Sequence, residues 1–166
     1  EEVANQLING FRVQNDLFPI ELRGVSAKSK DKKRKVDLSA VPFFDDAVSM
    51  TASDDIDVIV ELIGGDSGVA YDVCFSALNN KKALITANKA LIALHGDEVF
   101  SAAEQAGVSV HYEAAVAGGI PIIKSIREGL AGNSIEWVAG IINGTTNFIL
   151  TEMSRAGSNR SFDDVL

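Results

Sequence analysis

Three charged side chains each follow a segment that has the character of a β-strand. Glu113 comes after residues 108–112, Lys89 comes shortly after residues 83–86, and Lys28 comes directly after residues 18–27. An ammonium group at a strand end can hold a phosphate, a carboxylate or a developing oxyanion. The two lysines are therefore candidates for a binding or catalytic site, and Glu113 is a third candidate, as a carboxylate at a strand end.

The segment that begins at Glu113 has two interpretations. A turn of small residues with Gly118 and Gly119 follows it, and Pro121 then opens a predicted helix that runs to Leu130. Glycine lets the backbone take a positive φ or approach a ligand closely, and proline is well tolerated in the first helical position. The segment is either a ligand site or a tight strand-to-helix connection whose carboxylate is satisfied internally.

Lys89 lies where a predicted strand passes into a predicted helix. Asn88 is a favourable N-cap for that helix, so Lys89 would carry its ammonium group at the edge of the sheet. The alternative is an exposed lysine in the first helical turn, a position that the helix dipole slightly disfavours for a cation.

The hydrophobic pattern predicts the elements that must position these residues. Helical spacing alternates with short apolar runs as far as Tyr112, which is typical of an open parallel sheet in a doubly wound α/β domain. Ligands bind such sheets beyond the carboxyl ends of the strands, which is where the polar residues lie. The run 56–63 is apolar enough for a strand that is covered on both faces. The predicted helices are 3–11, 45–52, 69–78, 88–94 and 97–106, and the predicted strands are 18–27, 56–63, 83–86 and 108–112.

The basic run from Lys28 to Lys35 holds six cations and one acid, in a chain of formal net charge −8. Such a run is typical of a solvated loop. However, a doubly wound NAD-binding domain usually carries Asp or Glu at the end of its second strand, for the ribose 2′-hydroxyl. Lys28 and Lys30 stand in that region instead, which favours the 2′-phosphate of NADP.

The pattern changes after residue 112. A helix over 121–130, a strand over 135–142, a turn over 143–147 and a helix over 148–155 are predicted, and residues 161–164 resemble a capping box. The sequence therefore predicts a partial nucleotide-binding domain over 1–112 and the start of a second, α+β domain over 113–166.

Composition excludes several classes of protein. The negative charge argues against nucleic acid as a partner, and the chain has no run of about 18 apolar residues that would cross a membrane. Its acidic start is unlike a signal peptide, and its single cysteine, Cys74, predicts a buried thiol in a reducing compartment such as the cytoplasm. Two histidines and one cysteine make an ordinary zinc site improbable.

The glycine-rich loop that cradles a dinucleotide pyrophosphate is missing from the front of the chain. The predicted helix at 3–11 begins without a cap before it. We therefore expect the first strand and its loop to precede Glu1, and we expect these 166 residues alone to bind a dinucleotide weakly or not at all.

Four motifs, in family order, resemble homoserine dehydrogenase of the bacterial type. They are residues 61–65 (ELIGG), 86–91 (TANKAL), 112–123 (YEAAVAGGIPII) and 140–150 (GIINGTTNFIL). The resemblance implies an oxidoreductase that interconverts L-homoserine and L-aspartate 4-semialdehyde with NADP or NAD, in the biosynthesis of threonine, methionine and isoleucine. It also implies a small-molecule substrate and a cytoplasmic homodimer.

The resemblance also assigns residues. It implies cofactor contacts at Ile63, Gly64, Thr86 and Lys89, beside the Lys28 proposed above, with Lys89 in an auxiliary catalytic role. It implies a site for sodium or potassium formed by Glu113 with the carbonyl groups of Val116, Gly118 and Ile120. Oxygen ligands on an irregular loop suit a hard cation.

The resemblance places the main catalytic lysine beyond Leu166, so a protein of these residues alone is expected to be inactive. Two other functions compete with this one. One is another semialdehyde or sugar oxidoreductase, against which the 112–121 motif argues; the other is a non-catalytic nucleotide-sensing or scaffold module built on the same fold.

Overall fold

The computed structural model describes residues 2–9, 20–140, 150–155 and 161. The chain divides into two compact units, Glu1–Leu130 and Ala131–Leu166. The domain boundary after residue 112 stays a prediction. In chain order the elements are α1 (Glu2–Asn9), β1 (Val25–Ser26), β2 (Phe43–Phe44), α2 (Ala47–Met50), β3 (Val58–Glu61), α3 (Val69–Asn79), β4 (Ala83–Thr86), α4 (Lys89–Ala106), β5 (Val110–His111), a 3₁₀ turn (Glu113–Ala115), α5 (Ile122–Lys124) and a π-helical turn (Ser125–Gly129).

A parallel sheet in the order β3-β4-β5 lies at the centre of the first unit. Helix α3 connects β3 to β4 and α4 connects β4 to β5, which is the repeated strand-helix-strand unit that the sequence predicts. Glu61 at the end of β3 is in register with Thr86 at the end of β4. A second parallel pair joins β1 to β2.

The core lies between this sheet and its two crossover helices. Ile59 and Leu84 from the strands pack with Leu78 from α3 and with Leu91 and Val99 from α4. All five side chains are at most 2% exposed. Each contributes about 1.5–3 kcal/mol through the burial of its apolar surface.

The prediction that residues 56–63 are covered on both faces is wrong for the part of the chain that the structure describes. Along β3 the burial alternates, with Val58 45% exposed and Val60 39% exposed, while Ile59 is buried. The reason is that the side chains of α3 and α4 join one common core on a single face of the sheet.

Several predicted elements have different bounds in the structure. The two helices predicted over 88–94 and 97–106 are one helix, α4, because the apolar burial along it outweighs the cost of about 1 kcal/mol for Gly96 inside the helix. The helix ends at Gly107, in the left-handed conformation, as the sequence predicts. The strand predicted over 18–27 shortens to β1, because only those two residues form ladder pairs among the described ones.

Residues 135–140 in the second unit are not a strand, although the sequence predicts one over 135–142. A strand needs a neighbour for its backbone groups, and no residue that the structure describes pairs with this segment. Trp137 is accordingly 77% exposed. Residues 150–154 are helical, as predicted, and the predicted turn over 143–147 lies outside the described residues.

Residues 122–129 are helical, but the helix predicted over 121–130 starts one residue later and widens from α5 into the π-helical turn. Pro121 precedes its first residue, as the N-cap. Within the described parts of the chain, no helix is both long and apolar enough to cross a membrane.

Candidate functional site

The carboxyl ends of β3 and β4 are joined by a pair of buried polar side chains. Glu61 is 1% exposed and Thr86 is fully buried. The Thr86 hydroxyl donates a 2.6 Å hydrogen bond to Glu61 Oε2. The two strand ends that the sequence predicts to form a ligand edge are thus directly linked.

The other oxygen of Glu61 holds the turn that follows β3. Its Oε1 accepts hydrogen bonds from the backbone N–H groups of Ile63, at 2.6 Å, and Gly64, at 3.0 Å. Gly64 and Gly65 both have positive φ, near 84° and 88°, and an added Cβ would meet no atom within 4 Å at either position. Bare, open backbone therefore lies at this edge, beside Ile63, which is 54% exposed.

Asn88 connects this turn to the start of α4. Its Oδ1 accepts from the backbone N–H of Leu91 at 3.1 Å, which is the predicted N-cap, and its Nδ2 donates to the carbonyl group of Gly65 at 2.6 Å. The backbone N–H of Asn88 donates to the Thr86 hydroxyl at 3.0 Å. The network therefore runs without interruption from β3 to the first turn of α4.

Lys89 is the first residue of α4 and its side chain is exposed. Within the described parts of the chain, this side chain makes neither a hydrogen bond nor an ion pair. An ammonium group at this place is available to a bound anion or to a reacting oxygen. The hydrogen bonds of Asn88 to Thr86 and Gly65 hold the start of α4, where Lys89 is the first residue, against the turn that contains Ile63 and Gly64.

Lys28 lies in the exposed loop after β1. The basic run around it is organised by Arg34, which donates to the carbonyl groups of Ser29 at 2.5 Å, Lys30 at 2.9 Å and Lys32 at 3.1 Å. The Arg34 guanidinium also lies 5.9 Å from the centre of the Phe43 ring. The run is therefore a folded loop, and apart from its charge nothing in the sequence pattern indicates the role of Arg34.

Glu113 caps the helical segment that follows it. Its Oε1 accepts from the backbone N–H of Ile123 at 3.0 Å, and its Oε2 accepts from that of Lys124 at 2.8 Å. The loop between has two residues with positive φ, Ala117 near 47° and Gly119 near 86°. The two hydrogen bonds satisfy the carboxylate internally, as the interpretation of this segment as a strand-to-helix connection expects. Each carboxylate oxygen still has a lone pair for a cation.

The carbonyl groups proposed as cation ligands lie on the same loop as Glu113. Val116 is half-buried, while Gly118 and Ile120 are exposed. The carbonyl group of Ile120 also accepts a 2.8 Å hydrogen bond from the backbone N–H of Ile122. Three or more His, Cys, Asp or Glu side chains do not cluster as possible metal ligands anywhere in the described ranges, so any cation site here depends on backbone oxygens.

Cys74 is the buried thiol that the sequence predicts. It is fully buried in α3, and this desolvation, together with the charge of Glu61, raises its pKa to about 12. Because the thiolate is the reactive form, Cys74 is not a nucleophile in this fold.

The parallel sheet, its crossover helices and the polar network at its carboxyl edge define a Rossmann-like α/β protein of the dinucleotide-binding class. Residues 2–113 match the family model described as the NAD binding domain of homoserine dehydrogenase, and residues 121–166 match the model described as homoserine dehydrogenase. The chain belongs to the homoserine dehydrogenase family.

Curated relatives agree with this assignment. The chain is 51% identical to the homoserine dehydrogenase of Pseudomonas aeruginosa and 50% identical to that of Neisseria gonorrhoeae, in each case over 89% of this chain and 33% of the relative. It spans about a third of the length of the curated relatives that it matches.

Solved structures of the family are also similar. A homoserine dehydrogenase from Thiobacillus denitrificans aligns with a TM-score of 0.70 and 46% identity, covering 89% of this chain and 33% of that one. A hyperthermophilic archaeal homoserine dehydrogenase in complex with NADPH aligns with a TM-score of 0.58 and 29% identity, covering 75% of this chain and 37% of that one.

Proposed function

We propose that the intact protein containing this chain interconverts L-homoserine and L-aspartate 4-semialdehyde by hydride transfer with NADP or NAD. The observation that carries the proposal is the two-part family match, which covers both the sheet and the segment after Pro121. The bound nicotinamide would supply the hydride acceptor or donor, and the protein supplies binding, orientation and electrostatics.

The strand edge built from β3, β4 and α4 is the proposed place for the nicotinamide half of the cofactor. Two features support this placement of the nicotinamide: the open backbone at Gly64 and the neighbouring apolar side chain of Ile63. Lys89 is the first residue of α4, whose N-cap Asn88 is bonded to Gly65 of the same turn. Its ammonium group would stabilise negative charge on the oxygen of the reacting carbonyl group, in an auxiliary role to a main catalytic lysine expected beyond Leu166.

We infer a preference for NADP from the loop after β1. Lys28 and Lys30 lie in this exposed loop, which contains no described acid except Asp31 between residues 27 and 35. An adenosine 2′-phosphate carries the charge that this loop attracts, whereas the free 2′-hydroxyl of NAD does not.

We also propose a monovalent cation, sodium or potassium, at the Glu113 loop. The support is the irregular backbone between Glu113 and Ile122, with positive φ at Ala117 and Gly119, which turns carbonyl groups away from regular pairing. The ligands would be the Glu113 carboxylate and the carbonyl groups of Val116, Gly118 and Ile120. A cytoplasmic homodimer remains a prediction from the family resemblance.

The experiment is homoserine-dependent reduction of NADP, with NAD in parallel, by the intact protein. Absorbance of the reduced nicotinamide is the readout, with and without added potassium or sodium. Turnover with homoserine supports the proposal. A well-folded intact protein that reduces neither nucleotide would favour the alternative, a non-catalytic nucleotide-sensing or scaffold module.

A further inference from the structure

Glu61 is a buried acid that no cation pairs with in the described part of the chain. Its side chain is 1% exposed, and it forms no ion pair with any residue that the structure describes. Burial of a carboxylate is costly unless its oxygens are hydrogen-bonded. Glu61 meets this requirement with three donors, which are the Thr86 hydroxyl and the backbone N–H groups of Ile63 and Gly64.

These donors come from both sides of the proposed cofactor edge. Two belong to the turn after β3, and the third belongs to the last residue of β4. A single carboxylate therefore fixes the position of Ile63 and Gly64 relative to β4. Without it, two backbone N–H groups of an exposed, glycine-containing turn would have to find water instead.

The Thr86 hydroxyl has no proton left to donate to a ligand. It donates to Glu61 and accepts from the backbone N–H of Asn88, and the side chain is fully buried. Asn88 in turn binds the carbonyl group of Gly65 and caps the helix that begins at Lys89. The hydroxyl lies between the turn and the first residue of α4.

We propose that Glu61 and Thr86 are positioning residues that hold the Ile63–Gly64 turn and Lys89 in the geometry that a nicotinamide dinucleotide needs. Thr86 acts through Glu61 and Asn88 and not through contact with the cofactor, in contrast to the contact that the family resemblance implies. This inference rests on the proposed function of the same edge.

The test compares two buried threonines in the intact protein. Thr86→Val removes the hydroxyl at the cofactor edge with little change in volume, and Thr86→Ser retains it. Thr51→Val is the matched control, because Thr51 is also fully buried and its hydroxyl donates to the carbonyl group of Val48 at 2.8 Å and contacts Ser76 Oγ at 2.7 Å. The readouts are the dissociation constant of NADPH from its fluorescence, hydrogen exchange of the Ile63 and Gly64 amides, and the midpoint of thermal unfolding.

We expect Thr86→Val to weaken NADPH binding about tenfold and to speed exchange of the Ile63 and Gly64 amides, because the carboxylate that holds them loses its anchor on β4. Thr86→Ser, which keeps the hydroxyl, should match the wild type in NADPH affinity and in amide exchange. Thr51→Val should lower the unfolding midpoint and leave both unchanged.

Three results would overturn the proposal, and they are distinguishable. If the wild-type protein binds NADPH and Thr86→Val binds it equally well, the positioning role is wrong and the proposed function stands. If Thr51→Val weakens binding as much as Thr86→Val does, the effect is one of general stability, and the positioning role is again wrong. If the wild-type protein binds no dinucleotide, the proposed function fails and the positioning role fails with it.

Discussion

Glu113 Oε2 accepts a 2.8 Å hydrogen bond from the backbone N–H of Lys124, so the acid that follows the last strand caps the next helical segment. The same carboxylate binds the backbone N–H of Ile123. A cap of this kind is favourable because the first N–H groups of a helix have no partner inside it. The proposed cation would bind the same carboxylate from the side of the loop.

A Glu113→Gln substitution separates these two roles. Glutamine has one carbonyl oxygen to accept from an N–H group, but it lacks the charge that a cation requires. We expect the concentration of potassium or sodium that gives half-maximal activity to rise at least about tenfold, which corresponds to about 1.4 kcal/mol. The measurement is initial rate against cation concentration at saturating homoserine and NADP.

Glu128→Gln is the control for Glu113→Gln. Glu128 is an exposed acid on the same helical segment, and its 3.8 Å pair with Lys124 is solvated. Its cation dependence should match that of the wild type. An unchanged cation dependence in Glu113→Gln would leave Glu113 as a helix cap alone.

Arg34 is predicted to control the choice between the two nucleotides. An Arg34→Ala substitution removes three hydrogen bonds to loop carbonyl groups, so Lys28 and Lys30 lose their fixed positions. The KM for NADP should rise about tenfold, while the KM for NAD should change less than twofold. The measurement is a pair of Michaelis curves on the intact protein.

Arg23→Ala is the matched control for the loop, because Arg23 is an exposed arginine paired only with Glu21 among the described residues. It should leave both KM values unchanged. Equal increases for NADP and NAD in Arg34→Ala would contradict a 2′-phosphate site at this loop.

Cys74 is expected to resist thiol reagents while the protein is folded. Burial raises its pKa to about 12, so at pH 8 the thiolate fraction is on the order of a thousandfold below that of an unfolded chain. Labelling with a chromogenic disulfide should therefore be fast in urea and very slow in buffer. Rapid labelling in buffer would show that α3 opens or packs differently.

The raised pKa of Cys74 also makes the free energy of unfolding depend on pH. The unfolded thiol ionises from its ordinary value of 9.0, whereas the folded thiol keeps its proton until about pH 12. The free energy of unfolding should thus be unaffected below pH 9 and fall as the pH rises above it. Cys74→Ala should remove this part of the decline in urea titrations between pH 8 and pH 10.5.

The sequence was sufficient to predict the parallel α/β arrangement, because each crossover helix and strand has its own hydrophobic period. Thus β4 has the predicted bounds, and Gly107 ends α4 as expected. Periodicity could not reveal that residues 56–63 are covered on one face, since that depends on where two distant helices pack. It also could not show that residues 135–140 have no strand partner among the residues that the structure describes.

The candidate site was predicted in part. The positions of Lys89 and Glu113 were predictable from the strand ends, because the carboxyl ends of parallel strands lie at one edge of the sheet. The role of Glu61 was missed, although an acid with two apolar residues on either side was a visible signal. The role of Arg34 depends on a loop conformation that no local pattern encodes.

The most direct test of the account is the rate of homoserine-dependent NADP reduction by the intact protein and its Lys89→Ala variant. Lys82→Ala is the control, because Lys82 lies at the opposite end of β4 from Lys89. We predict turnover by the wild type and by Lys82→Ala, and a loss on the order of 10²-fold or more in kcat/KM for Lys89→Ala. Equal rates for Lys89→Ala and the wild type would contradict a role for this strand edge in the reaction.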